Sequence, residues 1–139
     1  MSQENVEVVR RWIDLWTRRD WTAYEAIHDP YVVVIPPEGW PDGEVSIGCE
    51  AWIRQSMRLK ESWATDRNEL EEFHVEGSQV VVGARWITKG KDSGIEFDRT
   101  LWAVFTLLKR RITRIDWFLD RSRALEAVGL SEQDAHAGS

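Results

Sequence analysis

The sequence has few of the residues on which several common classes of protein depend. It contains one cysteine, Cys49, which excludes an internal disulfide, and three histidines without metal-ligand spacing. It has no glycine-rich phosphate loop and no apolar run near the roughly 20 residues of a membrane helix. The charged residues 1–11 do not resemble a signal peptide. We therefore expect a soluble cytoplasmic protein without a cofactor, metal or membrane partner.

Basic residues are also in the minority. Eighteen Lys and Arg side chains stand against twenty-four Asp and Glu, which gives a net charge of -6 and an isoelectric point near 5.1. The short basic clusters, such as residues 109–111, have acidic residues or tryptophans nearby and are typical of a solvated surface. Because phosphate binding needs clustered basic side chains, we expect no nucleic-acid partner.

Tryptophan, by contrast, is abundant. The chain has nine tryptophans in 139 residues, and such rings pack a core, line a cavity or seal an interface. This length suffices for one domain, which we expect to span residues 1–130, with a flexible tail over 131–139.

The hydrophobic spacing predicts helices that precede a series of strands. Residues 3–18 carry Val6, Val9, Ile13 and Trp16 at steps of three and four, as on one face of a helix. Further predicted helices cover 21–28, 49–63 and 121–128, and predicted strands cover 31–35, 67–76, 79–89, 95–108 and 111–120. This order predicts an α+β fold with the helices on one side of an antiparallel sheet. Residues 36–43, PPEGWPDG, predict a loop or lid with Trp40 as a mobile flap.

Alternation along the long strands predicts which side chains point inward. The nearly apolar sets are Val80, Val82, Ala84, Trp86 and Thr88; Phe97, Leu101, Ala103, Phe105 and Leu107; and Ile115, Trp117 and Leu119. Asp116 and Asp120 then face away or lie at the rim, so we do not expect them to be catalytic acids. The outward set still includes Trp102 and Phe118, which are too apolar for bare solvent. We therefore expect a homodimer through the outer sheet face.

Four stretches carry a family resemblance: MSQENVEVVRRWIDLW, RRDWTAYEAIHDP, WAVFTL and DRSRALEAVGL. In these the chain resembles SnoaL-like proteins of the nuclear transport factor two-like superfamily. The resemblance implies a cone-shaped α+β fold, with a curved antiparallel or mixed sheet wrapped around the N-terminal helices, a deep pocket and a homodimer. It implies less about activity, since the superfamily includes isomerases, hydrolases, cyclases and non-catalytic proteins.

The catalytic positions of two enzyme groups can be compared with this sequence. Steroid isomerases use a tyrosine, an aspartate base and a protonated aspartic acid, and these positions fall on Trp12, Ile35 and Ala103. None of the three residues can perform the proton transfer, although the Trp12 indole retains an N–H donor. The resemblance therefore does not imply a steroid isomerase.

Limonene-epoxide hydrolases resemble the chain most in RITRIDWFLD and need an Asp-Arg-Asp set. Those positions fall on Ala84, Trp86 and Trp117, with the supporting tyrosine and asparagine near Val32 and Val34. A register slip of one residue would bring charged residues into these positions, but it would turn each apolar set outward. We therefore expect the usual catalytic sets to be absent.

The predicted ligand-binding residues are Trp12, Val34, Trp86, Arg99, Leu101 and Trp117. Trp12, Trp86 and Trp117 either clamp a flat, mostly apolar molecule or simply fill the core. Arg99 is the one charge on its strand face. It either forms a structural pair with Glu50 or Glu38, reaches the rim, or binds an anionic or carbonyl end of the ligand.

Three functions remain open at this point. The first is a protein that binds a small apolar molecule. The second is a cofactor-independent isomerase, cyclase or hydrolase that uses Arg99, Tyr24 or His28, although His28 at a helix end beside Asp29 is typical of a cap or surface residue. The third is a dimeric interaction module that works through the outer face around Trp102 and Phe118.

Overall fold

The computed structural model describes residues 2–40 and 43–131. Within these residues four helices form, three of them before the long strands. They are α1 (Ser2–Arg18), α2 (Trp21–Ala26), α3 (Cys49–Glu61) and α4 (Arg121–Ala127). None of the helices within these residues is long and apolar enough to cross a membrane. Most of the predicted tail, residues 132–139, lies outside the described residues.

Six strands in the described part of the chain form a single mixed sheet. They are β1 (His28–Ile35), β2 (Ser46–Ile47), β3 (Trp63–Glu76), β4 (Gln79–Gly90), β5 (Glu96–Leu108) and β6 (Arg111–Phe118). The strand order is β2-β1-β6-β5-β4-β3, and the β1–β6 pair is parallel while the other neighbours are antiparallel. The α+β class with a curved mixed sheet is therefore confirmed. The two-residue strand β2 was not predicted, because so short a segment shows no period.

Local sequence signals explain how the helices start, end and bury one face. Val9, Trp12 and Trp16 follow the helical period on α1, and each is at most 1% exposed. Asp20 caps α2 as its side chain accepts the backbone N–H of Ala23 at 3.2 Å. Gly129 follows α4 with a φ of 80°, a conformation that glycine adopts without strain.

Irregular pairing accompanies the curvature of the sheet. The β3–β4 register shifts between Leu70 and Glu72, and the β5–β6 register shifts between Thr106 and Leu107. Such bulges bend and twist a sheet, so its inward face wraps around the helices. The main core lies between this face and α1, α2 and α3, and it contains most of the tryptophans.

The outer face of the sheet is covered in part by α4. Val81, Trp102 and Val104 pack against Ala124 and Leu125 of that helix, and both helix residues are fully buried. The apolar character of the outer face therefore has an explanation within one chain, which the sequence did not indicate. The homodimer through Trp102 and Phe118 stays a prediction.

Candidate functional site

A cavity of about 230 Å³ lies between the inward face of the sheet, helices α1 and α3, and the loop after β1. Its lining residues are Trp12, Trp16, Val34, Pro36, Pro37, Trp40, Glu44, Trp52, Gln55, Leu59, Trp63, Trp86, Thr88, Phe97, Leu101 and Trp117. Five of the six predicted ligand-binding residues are in this wall, and Arg99 is not. Alternation along the long strands predicted that Trp86, Leu101 and Trp117 point inward, because alternate side chains of a strand lie on the same side of the sheet.

Indole rings form a continuous part of the wall. Trp12 stacks on Trp16 with ring centroids 5.6 Å apart, Trp16 meets Trp86 edge-on at 5.5 Å, and Trp86 meets Trp117 at 5.7 Å. Trp16 and Trp63, which were not among the predicted ligand-binding residues, also line the cavity. The four-residue step from Trp12 to Trp16 was the signal for Trp16, since it puts both rings on one helix face.

The predicted loop or lid supplies another part of the wall. Pro36, Pro37 and Trp40 line the cavity, and the Trp40 ring meets Phe97 edge-on with centroids 6.0 Å apart. Pro41 and Asp42, in the same loop, lie outside the described residues. The mobility of Trp40 stays a prediction.

Three indole N–H groups of the wall have no acceptor among the described residues. They belong to Trp16, Trp52 and Trp86, and each nitrogen is buried. A buried donor without a partner costs about 1–3 kcal/mol. Three residues of this largely apolar wall therefore carry buried hydrogen-bond donors that no described protein group satisfies.

The Trp12 indole, expected to offer a free N–H, is already engaged. It donates to Nε2 of His28 at 3.1 Å, while Nδ1 of His28 lies 2.7 Å from the carbonyl oxygen of Tyr24. Because Nε2 accepts, the imidazole is neutral with its proton on Nδ1, donated to that carbonyl.

His28 is neither a helix cap nor a surface residue. It begins β1, is 2% exposed, and burial lowers its pKa to about 4. Both ring nitrogens are occupied within the protein and His28 is not part of the cavity wall. These contacts do not support a catalytic role for His28.

Tyr24 lies behind the wall as well. Its hydroxyl is fully buried 3.4 Å from Oγ of Ser56, and burial raises the tyrosine pKa above its ordinary value. A proton held this firmly and away from the cavity is unsuited to transfer. Tyr24 therefore supports the ring of Trp12, which it contacts with centroids 5.7 Å apart.

Arg99 is exposed, and its expected carboxylate partners are engaged elsewhere. Glu50 pairs with Arg54 at 3.0 Å and Glu38 pairs with Arg123 at 3.3 Å, so neither forms the structural pair with Arg99 that was one of the three alternatives. Arg99 is opposite Trp86 in the β4–β5 register, which places it on the concave side of the sheet. Within the part of the chain that the structure describes, its guanidinium has no hydrogen-bond or ion-pair partner.

Polar side chains are few in the wall. Glu44 is the only ionisable residue among the described lining residues, and it is exposed to solvent. Gln55 accepts a hydrogen bond from the hydroxyl of Ser46. Across residues 2–40 and 43–131, no group of three or more His, Cys, Asp or Glu side chains could hold a metal ion.

Comparison with known proteins supports this architecture. The family model described as a SnoaL-like domain matches residues 9–115, whereas no curated protein sequence matches significantly. A putative SnoaL-like polyketide cyclase from Jannaschia sp. CCS1 is 24% identical with a TM-score of 0.73, over 91% of this chain and 92% of that one.

Two further solved structures share the fold. A nuclear transport factor two-like protein of unknown function from Burkholderia pseudomallei is 19% identical with a TM-score of 0.76, over 91% of this chain and 98% of that one. TerC, co-crystallized with polyporic acid, is 19% identical with a TM-score of 0.74, over 90% of this chain and 97% of that one. Identities this low show the fold alone. The family match over residues 9–115 establishes that this chain belongs to the SnoaL-like domain family.

Proposed function

We propose that this protein binds a small, flat and mostly apolar molecule that carries at least one hydrogen-bond acceptor oxygen. The observation that supports this function is a set of three unpartnered, buried indole N–H groups on Trp16, Trp52 and Trp86, three residues that line one cavity. An acceptor on a ligand would satisfy whichever of these donors turns towards the cavity.

The rest of the wall favours such a ligand on energetic grounds. Burial of apolar surface contributes about 25 cal/mol per Å², and aromatic rings add specific edge and face contacts. The indoles of Trp12 and Trp117 contact each other with centroids 6.1 Å apart, so they offer adjoining flat surfaces. Flat aromatic or terpenoid-like molecules with a carbonyl group fit this combination.

Arg99 would bind the outer end of such a ligand. The Arg99 side chain is exposed, and its guanidinium has no partner among the described residues. In the sequence of β5, Arg99 follows Phe97 by two positions, so both lie on the concave side of the sheet. A carboxylate or carbonyl that projects from the cavity would find there a charge-assisted donor. Together with Trp12, Val34, Trp86, Leu101 and Trp117, Arg99 completes the proposed ligand-binding set.

Two solved structures of the same fold support a ligand-binding function. One is named a putative polyketide cyclase and the other was co-crystallized with polyporic acid. Both names concern small organic molecules. The shared fold therefore accommodates such compounds elsewhere in the superfamily.

Calorimetry with 9-fluorenone and fluorene tests the proposal, because the two molecules differ by one carbonyl oxygen. We expect the wild-type protein to bind the ketone more tightly by about tenfold, the value of one hydrogen bond. Trp86→Phe, which keeps a ring but removes the N–H, should reduce that preference, and Trp21→Phe, outside the cavity wall, serves as control. Absence of binding by both compounds and by related ketones would contradict the function.

Arg99 has its own test. 9-Fluorenone-4-carboxylate should lose about tenfold affinity in Arg99→Gln, as one charge-assisted hydrogen bond is removed, and the neutral ketone should not. The control Arg67→Gln changes an exposed arginine that pairs with Glu69 at 3.1 Å. Equal affinities of wild type and Arg99→Gln for the carboxylate would exclude a role for Arg99.

A second candidate is a cofactor-independent enzyme, and Glu44 favours it. This carboxylate lines the cavity and is a potential general base for a proton next to a carbonyl group. If the protein is such an enzyme, Glu44→Gln should abolish turnover of an enolisable ketone such as 1-indanone while the affinity for it is retained. Equal rates of hydrogen–deuterium exchange next to the 1-indanone carbonyl in wild type and Glu44→Gln, followed by NMR in deuterated water, would argue against Glu44 as the base.

A further inference from the structure

Behind the main cavity lies a much smaller one. Its volume is about 10 Å³, and its wall includes Trp12, Trp86, Leu101 and Trp117, which also line the main cavity. The one side chain with an amide among the described residues of this small cavity is Asn68 of β3, which pairs with Trp86 in the β3–β4 register. Asn68 thus lies in a cavity that shares four wall residues with the proposed ligand-binding site.

Neither the donor nor the acceptor atom of the Asn68 amide has a hydrogen-bond partner among the described residues. Both atoms, Nδ2 and Oδ1, are buried. The rest of this inner wall consists of hydrocarbon and indole side chains. A buried amide in such surroundings is costly, since each unpaired group loses its hydration without replacement. Leucine or valine at this position would avoid the cost, so the amide calls for an explanation.

The size of the small cavity limits what can reach Asn68. A space of about 10–15 Å³ by the same measure holds roughly one water molecule. One oxygen atom therefore fits beside the amide, and a ring or a carboxylate does not.

The amide chemistry limits that oxygen further. Nδ2 donates and Oδ1 accepts, so full satisfaction needs a group that both accepts and donates. A ketone oxygen accepts only and would leave Oδ1 unpaired. An ammonium group donates only, and this apolar wall would not compensate for the loss of its hydration. A neutral hydroxyl group satisfies both atoms.

We propose that Asn68 forms an inner subsite that selects a hydroxylated aromatic ligand, a phenol or an aryl alcohol, by a paired hydrogen bond to one hydroxyl group. This inference rests on the proposed function, because the ring that carries the hydroxyl occupies the main cavity. Nδ2–H donates to the hydroxyl oxygen, and the hydroxyl donates to Oδ1. A single water molecule has the same hydrogen-bonding capacity and is the alternative occupant that the experiment distinguishes.

The experiment compares 4-phenylphenol with 4-methylbiphenyl, in which a methyl group of similar size replaces the hydroxyl. Dissociation constants are measured by calorimetry for the wild-type protein and for Asn68→Leu. We expect the wild type to prefer the phenol by about tenfold or more, since the paired contact comprises two hydrogen bonds. In Asn68→Leu this preference should disappear, while 4-methylbiphenyl retains its affinity within about threefold.

Matched variants separate this subsite from the rest of the cavity. Thr88→Val removes a hydroxyl from the main cavity wall without touching the small cavity, so it should keep the preference for the phenol. Asn68→Val is a second apolar variant suited to a strand, in case the leucine is too large. Both Asn68 variants should unfold at the wild-type temperature or above it, because each removes an unsatisfied amide.

The outcomes are distinct. Equal wild-type affinities for the two compounds would mean that Asn68 holds only water, and a preference that persists in both Asn68 variants would place the hydroxyl elsewhere. Either result overturns the subsite and leaves the ligand-binding function standing. If the wild type binds neither biphenyl nor any ketone, the proposed function fails together with the subsite.

Discussion

Trp12 donates its indole N–H to Nε2 of His28 across 3.1 Å, within the core of the protein. This bond joins α1 to the first residue of β1 and holds one ring of the cavity wall. It also requires a neutral histidine, since a protonated Nε2 could not accept. The geometry of the wall therefore depends on the protonation state of a residue behind it.

Stability should fall on mild acidification because of His28. Its pKa is about 4 in the folded protein and near 6.5 in the unfolded chain, so the unfolded chain takes up the proton first as the pH falls. The contribution of the neutral imidazole is complete above pH 6.5 and is lost as the pH falls towards 4. We expect a loss of about 2 kcal/mol in the free energy of unfolding between pH 7 and pH 5, measured by urea titration.

Substitution of His28 separates the charge from the hydrogen bond. His28→Gln cannot titrate and should lack the extra pH dependence in this window. His28→Leu leaves the Trp12 N–H unpaired and should lose about 1–3 kcal/mol at pH 7. An unaltered pH dependence in His28→Gln would assign the effect to another group.

The buried ion pair of Lys60 and Asp66 predicts that loss of either partner lowers the free energy of unfolding by a different amount. The ammonium group of Lys60 is 1% exposed, binds Asp66 at 2.7 Å and lies 4.7 Å from the Trp16 ring centroid. Asp66→Ala should cost about 3–5 kcal/mol because it leaves a buried charge unpaired. Lys60→Met should cost much less, since Asp66 keeps Arg19 as a partner at 3.5 Å. Equal losses in the two variants, measured by chemical unfolding, would contradict this account.

Gly83 allows the Trp102 ring to lie over β4. A Cβ atom at Gly83 would approach the ring to 2.5 Å, which is closer than van der Waals contact permits. We expect Gly83→Ala to lose about 1–3 kcal/mol through overpacking. In a Trp102→Leu background the same change should cost much less, and a double-mutant cycle by chemical unfolding measures that coupling. Additive effects would show that the two residues do not compete for space.

The contact of α4 with the outer face makes the predicted homodimer testable. Leu125 is fully buried there, so Leu125→Glu should detach the helix and expose Trp102, whereas exposed Glu126→Gln should have no effect.

Sedimentation of the wild type decides the oligomeric state. If the outer face forms the dimer, Trp102→Glu should sediment as a monomer. A dimer that survives this substitution would place the interface elsewhere.

Much of the site followed from local rules. Alternation along β4 and β6 predicted that Trp86 and Trp117 point inward, and both line the cavity. The same rule predicted an inward side for Arg99, but not its exposed end or its lack of the expected partners. Side-chain direction in a strand depends on the backbone pleat alone, whereas the partner of a long charged chain depends on its tertiary neighbours.

The unused donors and the buried amide could not be read from the sequence. The N–H of Trp12 is paired because His28, sixteen residues away on another element, lies within hydrogen-bond distance. The N–H of Trp16, on the same helix, has no such neighbour among the described residues. Asn68 is one polar residue in a charged strand, and its isolation arises from the side chains of α1, β4 and β5 around it. The contact of α4 with Trp102 likewise depends on the chain folding back over the sheet after β6, which no local pattern indicates.

By itself the sequence determined the α+β class, the family and the inward tryptophans, because these depend on periodicity and on short stretches of chain. The tertiary structure decided which buried polar groups are paired, which rings share a cavity and what covers the outer face. Those properties depend on which distant segments meet, and a hydrogen bond reaches only about 3 Å.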